Sequence, residues 1–133
     1  MIPPFDNSGC LPPGLQGAAL AEVEARFGSQ SEIRRVQMES VRRMVDLAVR
    51  AGVQRIVLNG SVVTDIMDPN DVDCVLLIGR GFPADPVAGA ELNAGLPFID
   101  IALVGQADFD EFVRAVFSAD RFGAPKGMIE LIT

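Results

Sequence analysis

Two short apolar runs, residues 56–58 and 72–78, lie on either side of a polar stretch that begins at Gly60-Ser61 and ends at Asp71-Val72-Asp73. Apolar runs of this length next to Gly, Pro and Asn predict buried β-strands. Side chains two residues apart on a strand point to the same face, so we expect Asp71 and Asp73 side by side. Two anions this close repel each other unless a cation lies between them. The pattern therefore predicts a cation site where the second strand begins.

The cation that suits this pattern best is Mg²⁺, which takes oxygen ligands and often shares them with substrate phosphates. Gly60-Ser61 precedes a predicted short helix, so it can offer backbone N–H groups and a hydroxyl to those phosphates. Together the two motifs predict a site for a metal-bound nucleoside triphosphate. The alternative is ordinary turn chemistry at residues 68–71 with Ser61 as a helix cap. That alternative does not explain Asp73, which lies inside an apolar strand.

The spacing resembles the signature of the DNA polymerase beta-type nucleotidyltransferase superfamily. That signature has Gly-Ser after a strand, a spacer, Asp-x-Asp, and a third carboxylate on a later strand, for which Asp100 in Phe98-Ile99-Asp100-Ile101-Ala102 is the candidate. The resemblance covers roughly residues 31–117 and is closest to the minimal, stand-alone nucleotidyltransferases of bacteria and archaea. One departure is Asn59, which stands where the pattern usually has an apolar residue.

The resemblance implies transfer of a nucleoside monophosphate from a triphosphate, with ATP favoured, onto an acceptor hydroxyl. Asp71 and Asp73 would hold two Mg²⁺ ions, Gly60 and Ser61 would bind the β- and γ-phosphates, and Asp100 would be both a metal ligand and the base. Two alternatives stay open. The chain could be a non-catalytic nucleotide-binding or antitoxin-like module of the same fold. Asp100 alone could be a strand residue paired with an arginine such as Arg55.

The expected partner is a second protein. The minimal enzymes that the chain resembles are often paired with a protein that they modify, which implies a protein acceptor in a toxin–antitoxin-like pair. An RNA end is the less favoured acceptor, because a net charge of −7 does not suit nucleic-acid binding. A homo-oligomer is compatible with all of these expectations.

Composition narrows the class of protein. A chain of 133 residues with 49% hydrophobic and 22% charged residues predicts one globular domain. It contains no His, which excludes Ser-His and Cys-His catalysis and His-ligated metals. Cys10 and Cys74 form no metal or redox motif, so we expect free thiols in a reducing cytoplasm. The absence of a long apolar stretch or signal peptide gives the same expectation of a cytoplasmic protein without a membrane partner.

The order of elements predicts an α/β fold, a nucleotidyltransferase-like α/β sandwich with a small mixed sheet flanked by helices. Residues 1–17 are predicted to be a Pro/Gly-rich leader in a loop conformation, and residues 18–133 the single domain. The arginines of the longest helix are predicted to form a solvated face rather than a nucleic-acid patch. Helices are predicted over residues 18–27, 31–51, 62–67, 87–94 and 108–119. Strands are predicted over 55–58, 72–78 and 97–104, with a fourth strand or an extended tail at a sheet edge over 127–132.

Overall fold

A computed structural model describes residues 2–116 and 127–133. Within these residues, a five-stranded mixed sheet has the order β1-β5-β2-β3-β4. β2 runs antiparallel to both of its neighbours, whereas β1 is parallel to β5 and β3 is parallel to β4. The prediction of an α/β sandwich with a small mixed sheet is confirmed. The strands are β1 Gly14–Ala19, β2 Arg55–Asn59, β3 Val72–Leu77, β4 Ile99–Val104 and β5 Gly127–Ile132.

Helices cover both faces of the sheet. The larger apolar core lies on one face and includes side chains of α1 (Leu20–Phe27), α2 (Glu32–Ala51) and α3 (Pro86–Ala94). The smaller core on the other face contains Phe109 of α4 (Gln106–Glu111) together with Val57 and Val75 of the sheet. Because the smaller core is short, it leaves one end of that face to polar side chains.

The helix α2 has clear signals at both ends. Ser31 is its N-cap, and its side chain accepts a hydrogen bond from the Arg34 N–H. Gly52 ends the helix in the left-handed conformation with φ 81°, which suits glycine because it has no Cβ. The predicted helix over residues 31–51 is therefore confirmed to within one residue.

The N-terminal segment is part of the sheet, which corrects the predicted loop at residues 14–17 and the predicted helix start at residue 18. β1 pairs with β5 from Gly14↔Gly127 to Ala19↔Ile132, and the first helix begins only at Leu20. The expected boundary between residues 17 and 18 falls inside β1. Upstream of the strand, Leu11 is fully buried, and its carbonyl accepts the Gly127 N–H at 2.9 Å.

Three other elements differ from the prediction. Residues 62–67 form no α-helix, because only one 3-10 turn, Ser61–Val63, precedes an irregular loop. Residues 127–132 form the predicted fourth strand, but this strand lies inside the sheet, between β1 and β2, rather than at an edge. α4 ends at Glu111 and is followed by one π-helical turn, Phe112–Val116, while the predicted end at residue 119 lies outside the described residues.

The described helices were also compared with the requirements for crossing a bilayer. None of them combines the length and the apolar character that a membrane span needs.

If the N-terminal segment is part of the folded domain, Leu11→Ala should reduce the free energy of unfolding by about 2–5 kcal/mol, the usual cost of a cavity in a core. Urea denaturation at equilibrium measures this. Ile132→Ala is the matched control, because Ile132 is 65% exposed and should cost below about 1 kcal/mol. Equal, small effects of both substitutions would mean that residues before β1 contribute nothing to the core.

Candidate active site

The register of three strands brings one polar side chain from each into a row. Asn59 of β2 is the partner of Asp73 on β3, and Asp73 is the partner of Asp100 on β4. Register partners on adjacent strands point to the same face and are separated by about 4.8 Å in the backbone. Alternation along β3 gives Asp73 the same face as Val75, which belongs to the smaller core under α4. The row therefore lies where that core ends.

An open cleft of about 490 Å³ lies over this row. It is lined by Ser61, Asn70, Asp71, Asp73 and Asp100. The three predicted carboxylates and the predicted phosphate-binding serine thus line one cavity. The alternative pairing of Asp100 with Arg55 is not observed.

Arg55 instead binds Glu130 through two hydrogen bonds of 2.7 Å each. The paired geometry is that of a guanidinium fork on a carboxylate, which raises the pKa of Arg55. This ion pair lies on β2 and β5, so it does not supply a cation to the cleft carboxylates.

The Gly60-Ser61 turn lies directly against Asp73. Gly60 has φ 88°, a conformation that favours glycine, and a Cβ at this position would be 2.6 Å from Asp73 Oδ2, so the turn lies close against that carboxylate. Ser61 Oγ accepts a hydrogen bond of 3.1 Å from the Asn70 N–H, which ties the turn to the segment that carries Asp71. The serine hydroxyl proton is still able to donate to a ligand.

The donor set has the chemistry of a hard-cation site, because ionised carboxylates offer only acceptor oxygens. The arrangement of these carboxylates is less complete than a metal site requires. Among residues 2–116 and 127–133, no group of three or more His, Cys, Asp or Glu side chains is arranged to hold a metal ion. Asp71, Asp73 and Asp100 are therefore suitable ligands for Mg²⁺ and line the same cleft. Their side chains would have to rotate to bring their oxygens to one ion.

A buried arginine holds the loop that carries Ser61. Arg34 of α2 is only 2% exposed. Its guanidinium donates to the backbone oxygens of Phe27 at 3.1 Å, Val62 at 2.8 Å, Thr64 at 2.8 Å and Ile66 at 3.0 Å. A planar guanidinium has five N–H donors, so one side chain can satisfy several carbonyls that point inward.

Gln37 of α2 and the N-cap residue Ser31 continue this contact along residues 61–70, which we name the cleft loop. Gln37 donates to Asn70 O at 2.6 Å, and Ser31 Oγ donates to Met67 O at 2.8 Å. Ser31, Arg34 and Gln37 are spaced three residues apart, so they lie on one side of the helix. Much of the backbone of the cleft loop is therefore fixed by side chains of α2.

This role of α2 is not predicted by the sequence patterns described above. Arg34 was expected on a solvated face, which is wrong because it is buried. A signal was available, since Arg34 and Gln37 extend the buried heptad-like series Val41, Met44, Ala48 toward the N-terminus. The expectation holds for other arginines of the helix: Arg42, Arg43 and Arg50 form surface ion pairs with Glu24, Glu91 and Asp85, respectively.

Burial shifts the pKa values of two groups, Arg34 and Cys74. Burial lowers the pKa of Arg34, while Asp65 and Asp68 act in the opposite direction, and arginine stays charged at neutral pH because its ordinary pKa lies far above neutrality. Burial also raises the pKa of the Cys74 thiol, and the negative charges of Asp73 and Asp100 add to that effect. Cys10 and Cys74 are both free, as predicted, and Cys74 remains a protonated thiol.

Comparison with known proteins gives a family for nearly the whole chain. A family model described as "Family of unknown function (DUF6932)" matches residues 3–132. The chain belongs to this family. No curated protein and no solved structure matches it significantly. Any function for this DUF6932 member has to be argued from the residues of the cleft.

If Arg34 holds the cleft loop, Arg34→Met should lower the free energy of unfolding by at least about 3 kcal/mol, because several buried carbonyls lose their donor. Chemical denaturation gives the value. Arg35→Met is the control, since the exposed Arg35 makes one contact of 3.3 Å with Ser29 O and should cost below about 1 kcal/mol. A loss for Arg34→Met that is no larger than the control's would contradict the assigned role.

Proposed function

We propose that this protein is a metal-dependent nucleotidyltransferase that moves a nucleoside monophosphate from a nucleoside triphosphate, with ATP favoured, onto an acceptor hydroxyl. The observation that carries the proposal is the common cleft of Ser61, Asp71, Asp73 and Asp100 at the end of the sheet. The close approach of Gly60 to Asp73 adds support, because it brings a phosphate-binding type of turn next to the carboxylates.

The triphosphate tail would lie over the Gly60-Ser61 turn. The N–H groups of Ser61 and Val62 precede the first hydrogen bond inside this turn, from Val63 N–H to Gly60 O, so the turn does not use them itself. Such donors, together with the Ser61 hydroxyl, suit the β- and γ-phosphate oxygens. The remaining reactive part of the substrate, the α-phosphorus, would then face the carboxylates of β3 and β4.

Asp71 and Asp73 would hold two Mg²⁺ ions, and Asp100 would ligate the one nearer the acceptor. When bound, these ions neutralise the triphosphate charge and stabilise the attacking and leaving oxygens. The carboxylate of Asp100 accepts the proton of the acceptor hydroxyl. A bond forms between the acceptor oxygen and the α-phosphorus, the bond from that phosphorus to the bridging oxygen breaks, and pyrophosphate leaves.

The acceptor in this proposal is a hydroxyl on a partner protein, in a toxin–antitoxin-like pair. The net charge of −7 supports a protein over an RNA end, because an acidic surface repels the phosphate backbone. The two free thiols suit the reducing cytoplasm, which is where we propose that the reaction takes place.

One observation favours a second candidate, a nucleotide-binding module without catalysis. In the described part of the chain, the three carboxylates share a cleft but are not arranged as a three-ligand metal group. A module that binds a Mg²⁺-bound nucleotide through Ser61 and a single ion on two of the carboxylates would not need that arrangement. Incubation with labelled ATP and a cell lysate distinguishes the candidates, because only the enzyme transfers label to a macromolecule.

The first test concerns metal-nucleotide binding by the Asp pair. Asp71→Asn and Asp73→Asn should each weaken Mg-ATP binding by at least about tenfold in calorimetry and abolish transfer, since each removes a charged ligand. Asp68→Asn is the matched control on the same loop, because Asp68 is exposed and does not line the cleft. Binding of Mg-ATP by both cleft variants at the wild-type affinity would refute the site.

The second test concerns the base. Asp100→Asn should keep the affinity for Mg-ATP within about threefold of wild type and reduce transfer by ~10²–10⁴-fold, the usual range for loss of a positioned base. Circular dichroism and thermal unfolding establish that the variant is folded. Unchanged transfer would remove Asp100 from the catalytic set.

A further inference from the structure

A phenylalanine occupies a turn position that favours glycine at the entrance of β4. In residues 96–99, the Ile99 N–H donates to Leu96 O at 3.4 Å, Pro97 is the second residue, and Phe98 has φ 64°. This pattern is that of a type II turn, whose third residue is normally Gly or Asn. Apart from glycine, Phe98 is the one described residue with positive φ. The backbone here gives no reason for an aromatic side chain.

Phe98 lies next to the start of β3. Its side chain is 42% exposed, and among residues 2–116 and 127–133 no other aromatic side chain is exposed to this degree. The Phe98 carbonyl accepts the Val72 N–H at 2.8 Å. Val72 directly follows Asp71, which lines the cleft, so the backbone of Phe98 lies close to the cleft.

The cleft itself has no surface for a flat apolar group. Its lining consists of a serine, an asparagine and three aspartates, which suit phosphates and cations. A nucleobase is bound most favourably through its face, by stacking on an aromatic ring. The nucleoside is attached to the α-phosphorus to the side of the line that joins the attacking and leaving oxygens, so it can extend away from the carboxylates toward Phe98.

We propose that Phe98 stacks on the nucleobase of the bound nucleoside triphosphate. This inference rests on the proposed function and adds a contact for the part of the substrate that the cleft carboxylates and Ser61 do not touch. It also explains why a phenylalanine occupies this turn position, since a residue in an unfavourable backbone conformation persists where a ligand contact depends on its side chain. Because every base has a π-face, the contact favours larger purine rings without selecting one base by hydrogen bonds.

Calorimetry with two probes, Mg-ATP and Mg-tripolyphosphate, tests the stacking. Phe98→Leu keeps an apolar side chain but removes the ring, so its affinity for Mg-ATP should fall about 5- to 100-fold, the range for loss of one base–aromatic stack. Its affinity for Mg-tripolyphosphate, which has no base, should stay within about twofold of wild type. Val87→Ala, at a 63% exposed apolar position on α3, should change neither affinity.

Phe98→Gly separates binding from folding. Glycine suits the positive φ, so the midpoint of thermal unfolding should stay the same or rise while the affinity for Mg-ATP falls as in Phe98→Leu. A parallel loss for Mg-ATP and Mg-tripolyphosphate would make the ring a structural residue and overturn the inference. Unchanged Mg-ATP binding in both variants would also overturn the inference. This holds even if transfer is lost, a result that would mean that the ring faces the acceptor.

The wild-type protein separates this inference from the function on which it rests. Wild-type affinity for Mg-ATP should exceed that for Mg-tripolyphosphate. Equal affinities would overturn the stacking and leave the proposed function intact. Failure of the wild type to bind either probe would overturn the proposed function, and the stacking with it.

Discussion

The buried guanidinium of Arg34 is the interaction on which the rest of the cleft depends. The cleft loop has one 3-10 turn and little other regular structure, so many of its carbonyls lack partners from the backbone. An unpaired buried carbonyl is costly, and a loop with several of them would not stay packed against the core. Arg34 supplies the donors from α2, and Gln37 and Ser31 complete the contact. The position of Ser61 follows from these bonds.

The sheet supplies the other half of the site. Asp73 and Asp100 share a face because β3 and β4 pair in parallel register, and a slip of one residue would turn one of them into the apolar core. Gly60 lies close against Asp73, with a position for Cβ only 2.6 Å from Asp73 Oδ2. A row of polar side chains on neighbouring strands and a loop fixed by α2 thus meet along one cleft. The irregular cleft loop can therefore hold its groups in place for a ligand, because side chains of α2 fix its backbone.

The predictable parts of the fold are those with local signals. Strands β2 and β3 follow from apolar runs, and α2 follows from its periodicity with Gly52 after its last residue. β1 could not be found in this way. Its sequence, GLQGAA, has no β-branched or aromatic residue, and it is a strand because β5, far away in the chain, pairs with it.

The missed parts of the site depend on contacts rather than on patterns. Val62 and Val63 suggested a helix, whereas the carbonyls around them are bound by Arg34, which lies 28 residues from Val62 in sequence. Periodicity shows where a residue points but not whether a charged residue there finds buried acceptors, so Arg34 was expected in solvent. Phe98 was expected within a strand, and its turn conformation runs against its own preference. Predictions from local sequence patterns therefore fail at residues around the cleft.

The proposed function requires that the cleft bind a metal-bound nucleoside triphosphate between the Gly60-Ser61 turn and the three aspartates. A crystal structure of the protein with Mn²⁺ and a non-hydrolysable ATP analogue can test this, because manganese is located by its anomalous scattering. We expect an anomalous peak about 2.2 Å from carboxylate oxygens of both Asp71 and Asp73, with the β- and γ-phosphates within hydrogen-bond distance of Ser61. A nucleotide bound elsewhere, or a cleft without manganese at saturating concentrations, would contradict it.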